Sequence, residues 1–255
     1  MTRRRWLVWG GIGAIGLACA VWARARIDGL STETQATNPV VRWEWVFLRE
    51  DTPSELWDAT LQHLQLTVTA VAIGTFLAAI LAAIALRFRW TFAPITALTG
   101  FLYTIPSVAL FGVLRSRYGS WVAALVALTS YTLLVLVRNI VAGIDGVPRS
   151  VTDAADGLGF GRVRRLLTVE LPLALPVIVA GLRIATVTTV GLVGITAIIQ
   201  LGGLGQLIFD GYNTDYTTKI VVGSALSIGL AVLLDFGFHR LEVLLTPWAR
   251  RRGAS

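Results

Sequence analysis

The sequence predicts an all-α protein that crosses a membrane with about six helices. Hydrophobic residues make up 55% of its 255 residues and charged residues only 15%, and the mean hydropathy is +0.70. Soluble domains carry about 25% charged residues, so this balance indicates a polytopic membrane protein. The apolar residues fall into six runs, each near the ~20 residues that a helix needs to cross ~30 Å of hydrocarbon. Arginines stand mainly at the ends of these runs, which is typical of membrane proteins.

The runs divide the chain into four parts. The predicted spans cover residues 6–23, 61–86, 92–114, 121–144, 173–201 and 220–238. Residues 1–24 form an N-terminal transmembrane anchor, and residues 25–60 form an extracytoplasmic loop with a short interfacial helix that begins near Pro53. Residues 61–240 form the transmembrane core, which includes a polar connection at 145–172, and residues 241–255 form a basic tail.

The first apolar run has two interpretations. Arg3, Arg4 and Arg5 precede it, and Ala23-Arg24-Ala25 loosely matches a cleavage site, so a signal peptide is the alternative to an uncleaved anchor. We favour the anchor because the run is long and an arginine inside a cleavage site is unusual. The run also contains a GxGxxG pattern, but neither a strand nor a βαβ unit accompanies it. We interpret its glycines as small residues that let helices approach closely.

The distribution of basic residues predicts the orientation. With the N-terminus inside, segments 1–5, 87–91, 145–172 and 239–255 lie in the cytoplasm and hold thirteen arginines, against seven basic residues outside. This obeys the positive-inside rule and predicts a multi-pass protein of the plasma membrane, with the N-terminus and the connection 145–172 in the cytoplasm. The net charge of +7 also suits nucleic-acid binders, but these positions favour a lipid bilayer, and we expect no nucleic-acid partner.

The polar connection contains one regularly spaced pattern. An acidic residue and two alanines are followed, after a gap of three residues, by a glycine. After a further gap of nine residues comes an aliphatic residue, and after one more residue comes Leu-Pro. The fixed positions are Asp153, Ala154, Ala155, Gly159, Leu171 and Pro172. The alanines provide a small face, the glycine permits a turn with positive φ, and the proline starts the next helix without losing a donor. The pattern is typical of a surface that docks on a partner, and a solvated loop with no docking role is the alternative.

Three arginines follow the glycine in the same connection. Arg162, Arg164 and Arg165 are able to pair with acidic groups on a partner protein or with anionic headgroups. The pattern and these arginines together indicate a surface that contacts something outside the bilayer.

The spacing resembles the cytoplasmic EAA loop of ABC importer permeases, through which the membrane subunit docks on its ATPase; Asp153 stands where that family usually has glutamate. Other stretches resemble permease subunits of osmoprotectant importers, which carry glycine betaine, choline, carnitine or related quaternary amines. These stretches are 104–107, 131–139, 170–178, 181–187 and 202–209. The resemblance covers roughly residues 55–240.

This resemblance implies the type I ABC importer permease fold. It also implies a second permease subunit, identical or homologous, two copies of an ATP-binding subunit, and an extracytoplasmic solute-binding protein. The chain contains no GxxxxGK[ST] loop, so ATP and magnesium are expected on the partner ATPase, with no cofactor on this chain. We therefore expect a transport subunit rather than an enzyme.

Seven residues are candidates for the translocation path: Tyr103, Pro106, Tyr131, Arg183, Gly202, Gly203 and Gly205. The proline should bend its helix, which is tolerated in a membrane where the break lines a cavity. The tyrosines suit a quaternary ammonium ion through cation–π attraction, although rings at span ends often belong to the interfacial belt. The arginine has two interpretations. It faces a cavity or a partner, or its side chain snorkels to the membrane interface. The glycines form either an outer gate or a simple turn.

Other functions remain as alternatives. The single cysteine, Cys19, and two distant histidines, His63 and His239, favour no metal site. A permease for another small solute, such as an amino acid, is a close alternative. A stand-alone channel or secondary carrier is less favoured because no internal repeat is evident. A membrane enzyme is least favoured because the predicted cytoplasmic segments contain no nucleophile–base pair.

Overall fold

A computed structural model describes residues 41–42, 45–46 and 52–246. The predicted anchor at 1–24, most of the loop at 25–60 and the end of the basic tail lie outside these residues. The described elements are α1 (Thr52–Arg87), a 3-10 turn (Arg89–Thr91), α2 (Phe92–Thr104), α3 (Ser107–Asp145), α4 (Arg149–Gly157), α5 (Arg162–Arg165), a π-helical segment (Leu166–Glu170), α6 (Leu171–Ile195), a second 3-10 turn (Thr196–Ile199), α7 (Gly203–Asn213) and α8 (Thr217–Leu245).

Four helical stretches of the described part are long and apolar enough to cross a membrane: Thr52–Arg87, Ser107–Asp145, Arg162–Ile199 and Thr217–Leu245. The first begins at Thr52, one residue before the predicted interfacial helix. It continues without interruption into the second apolar run, so the two predicted pieces are one helix of 36 residues.

Two backbone breaks occur between the start of the third apolar run and the start of the fourth. α2 ends at Thr104 and α3 begins at Ser107, so the predicted bend at Pro106 is confirmed as a complete interruption. Inside α3, Gly119 has φ of 78° and ψ of 167°. A helix of 39 residues would be about 58 Å long, well beyond one bilayer crossing. The segment before Gly119 instead packs back against the segment after it, where Phe111 joins a buried cluster with Ala124 and Leu128.

α1 packs against its neighbours through a stripe of small residues. Ala70, Gly74, Ala78 and Ala82 recur every four residues and are buried. Side chains at this spacing lie on one face of a helix. Small residues there allow helix backbones to approach closely in a bilayer, where the hydrophobic effect contributes little to helix association.

The chain from Arg162 to Ile195 is helical throughout. Pro172 lies in the first turn of α6, as predicted, but the π-helical segment joins α5 to α6 without a break. The wider π-turn directly before Pro172 accommodates a residue that lacks an N–H and that crowds the preceding carbonyls. The fifth transmembrane run therefore starts about eleven residues before the sequence prediction.

The long helices define two ends of the bundle. At the loop end, α5 lies beside the last turn of α1, where Arg162 reaches the carbonyl of Leu86 at 3.5 Å, and α4 contacts α5 and the π-helical segment. At the turn end, the chain reverses between α6 and α7, and Lys219 at the start of α8 pairs with Glu55 of α1 at 3.3 Å. The coupling-loop candidates lie at the loop end, and the glycine candidates lie at the turn end.

A Gly181→Ala substitution is expected to lower the free energy of unfolding by about 1–3 kcal/mol, the usual cost of overpacking. A Cβ at Gly181 would overlap the Asn139 side chain of α3, whereas a Cβ at Gly191, on the same helix, meets no neighbour within 4 Å among the described residues. Thermal unfolding in detergent measures the difference, with Gly191→Ala as the matched control. Equal unfolding midpoints for the two variants would contradict the close approach of α3 and α6.

Candidate coupling loop and translocation path

The predicted coupling loop folds as the short helix α4 followed by a left-handed glycine. Gly159 has φ of 77°, so the predicted positive φ is confirmed. The N–H of Phe160 donates to the carbonyl of Ala155 at 3.1 Å, and the N–H of Gly159 donates to the carbonyl of Asp156 at 2.9 Å. These bonds serve carbonyls that the helix end would otherwise leave free, as in glycine-terminated helices generally.

Arg165 fastens this loop to the start of α6. Its Nε donates to Glu170 Oε1 at 2.7 Å, and its Nη1 pairs with the carboxylate of Asp156. Glu170 is buried, so the arginine links the end of α4 to a packed position in the π-helical segment. The guanidinium of Arg164 instead lies over the ring of Phe160, 4.4 Å from its centroid.

The outward face of the loop is small and partly apolar. Asp153 and Ala154 are exposed, whereas Ala155 is buried, so the two predicted alanines lie on different faces of α4. Leu158 is 77% exposed and Val163 is 69% exposed. A Cβ added at Gly157 or Gly161 would meet no other side chain or packed backbone within 4 Å in the part of the chain that the structure describes. Leu171 and Pro172 are half-buried in the first turn of α6.

The loop leaves α3 at a bidentate ion pair. Arg89, in the 3-10 turn after α1, donates to both carboxylate oxygens of Asp145 at 2.7 Å. These hydrogen bonds raise the pKa of the Arg89 guanidinium above its ordinary value. Both side chains are exposed, and exposed pairs contribute little stability. The pair therefore serves mainly to fix the point where the loop begins.

Three of the path candidates, Tyr103, Pro106 and Tyr131, lie at the break between α2 and α3. The rings of Tyr103 and Tyr131 make an edge-to-face contact with centroids 5.7 Å apart. The Tyr131 hydroxyl donates a hydrogen bond to the carbonyl of Ile105, the extended residue of the break. Tyr131 is buried, whereas Tyr103 is 42% exposed. The break thus presents one accessible ring, and Pro106 leaves the carbonyl of Leu102 without its usual helical donor.

Arg183 makes an ion-pair cluster between α6 and α8. Its guanidinium donates to the two carboxylate oxygens of Asp235 at 2.8 and 2.9 Å and lies 3.5 Å from Glu242. An open cavity of about 460 Å³ adjoins it, lined by Ala180, Arg183, Ile184, Val187, Thr188 and Asp235. Sequence reasoning missed both acidic partners. Their spacing of seven residues, two helical turns on one face, was the available signal.

The glycine candidates form the connection into α7. Gly202 and Gly203 have φ of 92° and 73°. A Cβ at Gly205 would overlap the backbone of Gly194, so α7 crosses α6 in direct backbone contact. Sequence reasoning also missed Gln62 and His63, the α1 residues that touch this connection.

Comparison with known proteins identifies the class. The family model for binding-protein-dependent transport system inner membrane components matches residues 60–250. The chain is 37% identical over 203 residues to the osmoprotectant import permease protein OsmW of Salmonella typhimurium, covering 77% of this chain and 94% of that protein. It is 32% identical over 200 residues to the choline transport system permease protein OpuBB of Bacillus subtilis, covering 78% and 92% respectively. The chain belongs to this family of inner membrane transport components.

A solved structure of the MetNI methionine ABC transporter in an inward-facing conformation has the same fold. Its TM-score is 0.67 at 22% sequence identity, covering 78% of this chain and 99% of that chain. The predicted all-α type I importer fold is therefore confirmed. The chain is a membrane-spanning permease subunit of an ABC importer and not an enzyme, and such a subunit works with an ATPase and a solute-binding protein.

We expect Arg183→Gln and Asp235→Asn each to lower the free energy of unfolding by about 1–3 kcal/mol, because each leaves a charged partner without its hydrogen bonds. The free energy of unfolding should fall less in the double variant than the sum of the two single losses. The difference is the interaction energy of the pair, about 0.5–3 kcal/mol. Thermal unfolding in detergent measures the stability of all three variants. Glu242→Gln is the control, and its loss should be smaller because Glu242 lies 3.5 Å from the Arg183 guanidinium. Strictly additive losses would contradict a direct pair.

Proposed function

We propose that this chain is the permease subunit of an importer for osmoprotectants, meaning glycine betaine, choline, carnitine or similar quaternary amines. The observation that carries the proposal is its likeness, over about three quarters of the chain, to permeases named for osmoprotectant and choline transport. The likeness to the methionine transporter supports the fold alone, at 22% identity.

In the proposed assembly, the loop end of the bundle faces the cytoplasm, as the arginine distribution favours. α4 docks on one of two ATPase subunits, which bind ATP and magnesium. A second permease subunit, identical or homologous, completes the membrane pair. An extracytoplasmic binding protein delivers the solute at the turn end. This chain itself binds no cofactor.

The geometry of the loop supports docking at the outward face of α4. Ala154 and the open positions at Gly157 and Gly161 let a partner surface come close to the backbone. Leu158 and Val163 offer apolar area for burial, which is the main source of association energy. Because Arg165 bonds within the chain, it fastens α4 to α6 and transmits force between them.

An Ala154→Arg substitution should reduce solute-dependent ATP hydrolysis and uptake of labelled glycine betaine and choline at least tenfold, since a buried, unmatched arginine costs an interface about 1.4 kcal/mol or more. The assay uses proteoliposomes that contain the full complex with its ATPase and binding protein. Ala93→Arg is the matched control, because Ala93 is an exposed alanine at the start of α2, outside the loop.

The outcomes separate the two parts of the proposal. Loss of ATPase association in Ala154→Arg, with a folded permease and a normal control, supports docking. Normal association and uptake in Ala154→Arg would contradict it. A complex that hydrolyses ATP but moves neither solute would overturn the osmoprotectant assignment, and an amino acid would be tested next.

The break between α2 and α3 is the proposed contact for the solute on its path. Tyr103 exposes a ring supported edge-to-face by Tyr131, and ring faces attract quaternary ammonium ions. The carbonyls at the end of α2 carry partial negative charge from the helix dipole. Both features favour a small organic cation, and broken helices form such sites in other transporters.

A Tyr103→Leu substitution should lower choline uptake about 5- to 30-fold at saturating solute-loaded binding protein, because one cation–π contact contributes ~1–2 kcal/mol. Tyr103→Phe keeps the ring and should retain most of the uptake. Tyr118→Leu is the control, since Tyr118 is also exposed but lies on α3 beyond the break. Equal losses in Tyr103→Phe and Tyr103→Leu would contradict a role for the ring.

A further inference from the structure

The turn between α6 and α7 has an unusual backbone. Gln200, Gly202 and Gly203 have φ of 55°, 92° and 73°, so three of four consecutive residues lie in the left-handed half of conformational space. A non-glycine residue in that region costs about 1–3 kcal/mol, and it persists only where surrounding structure holds it. Residues from other helices must therefore hold this turn.

Gln62 of α1 holds the turn from both sides. Its Nε2 donates to the carbonyl of Leu201 at 2.5 Å, and its Oε1 accepts from the N–H of Gly203 at 3.0 Å. The amide therefore spans Gly202, where an added Cβ would overlap it. A side-chain amide is suited to this role because it carries both a donor and an acceptor without a charge.

Residues of α3 also hold this turn. The hydroxyl of Ser120 donates to the carbonyl of Ile199 at 2.9 Å, and Arg115 reaches the side chain of Gln200 at 3.5 Å. Ser120 and Arg115 flank the break at Gly119. The turn is thus clamped between α1 and the reversal of α3.

The turn sets the position of α7. This helix has 11 residues, about 16 Å in length, which is too short to cross a bilayer. Leu204 and Leu207 pack with Leu230 of α8 and with α1. A Cβ added at Gly203 would lie 3.6 Å from the Cα and Cβ of His63. α7 is therefore a short helix that packs on α1 and α8 and enters through a turn held by other helices.

We infer that Gln62 is a positioning residue for transport: it holds the Gln200–Gly203 turn so that α7 closes the turn end of the path. When the path opens at this end, the two hydrogen bonds from Gln62 to the turn break, and α7 moves away from α1. The inference rests on the proposed function, because a closing role for α7 requires a solute path at this end of the bundle.

The test compares Gln62→Leu, Gln62→Glu and Gln65→Leu in the full complex with its ATPase and binding protein. Gln65 is an exposed glutamine on the same helix and is the matched control. Gln62→Leu removes both hydrogen bonds, whereas Gln62→Glu keeps the acceptor for Gly203. The measurements are ATP hydrolysis without binding protein, solute moved per ATP, and the thermal unfolding midpoint of the complex.

We expect Gln62→Leu to raise ATP hydrolysis without binding protein about three- to tenfold, because weakening the closed state shifts the population toward the open one. Solute moved per ATP should fall, Gln62→Glu should be intermediate, and Gln65→Leu should match the unmodified chain. A proportional loss of folded complex, hydrolysis and uptake, with solute per ATP unchanged, would overturn the inference as merely structural. Unchanged activity in Gln62→Leu would also overturn it.

The experiment separates this inference from the proposed function. If the unmodified complex responds to its binding protein but moves no quaternary amine, the solute assignment fails, and the ATP hydrolysis of Gln62→Leu still tests the clamp. If quaternary amines are transported and Gln62→Leu stays tightly coupled, the clamp fails and the solute assignment stands.

Discussion

The close approach of α1, α3 and α6 is the constraint on which the rest of the structure depends. Inside a bilayer, the hydrophobic effect does not drive these helices together, so close packing of small residues has to do so. The stripe from Ala70 to Ala82 on α1, and Gly181 of α6 against Asn139, provide that packing. Short side chains also leave little room between the helices, so polar groups on one helix reach the backbone of the next.

That reach explains how a bilayer tolerates two of the interruptions of helical backbone. An unpaired carbonyl or N–H in hydrocarbon costs several kcal/mol. The break before α3 is served by the Tyr131 hydroxyl, and the turn before α7 by Gln62 and Ser120. The interrupted segments are also the proposed path and gate, so these polar side chains stabilise the elements whose movement transport requires.

Much of this architecture was predictable from local sequence, whereas the pairing of faces was not. The apolar runs, the break at Pro106 and the positive φ of Gly159 depend on composition and on single residues, so the sequence indicates them directly. The partners of Arg183, the clamp by Gln62 and the burial of Ala155 depend on which helix faces meet, which no local pattern contains. The π-helical join before α6 escaped prediction because Pro172 normally marks the start of a separate helix.

That join bears on how the two ends of the molecule communicate. Arg162 to Ile199 is one helical stretch of 38 residues, about 57 Å long at the α-helical rise. Arg165 ties its first turn to α4, and Gly194 near its other end touches the backbone of Gly205 in α7. Direct backbone contact leaves no side chain to absorb a shift between α6 and α7. In the proposed mechanism, the ATPase displaces α4, and this displacement moves the end of α6 on which α7 packs. The two hydrogen bonds from Gln62 of α1 to the turn before α7 oppose this movement until they break.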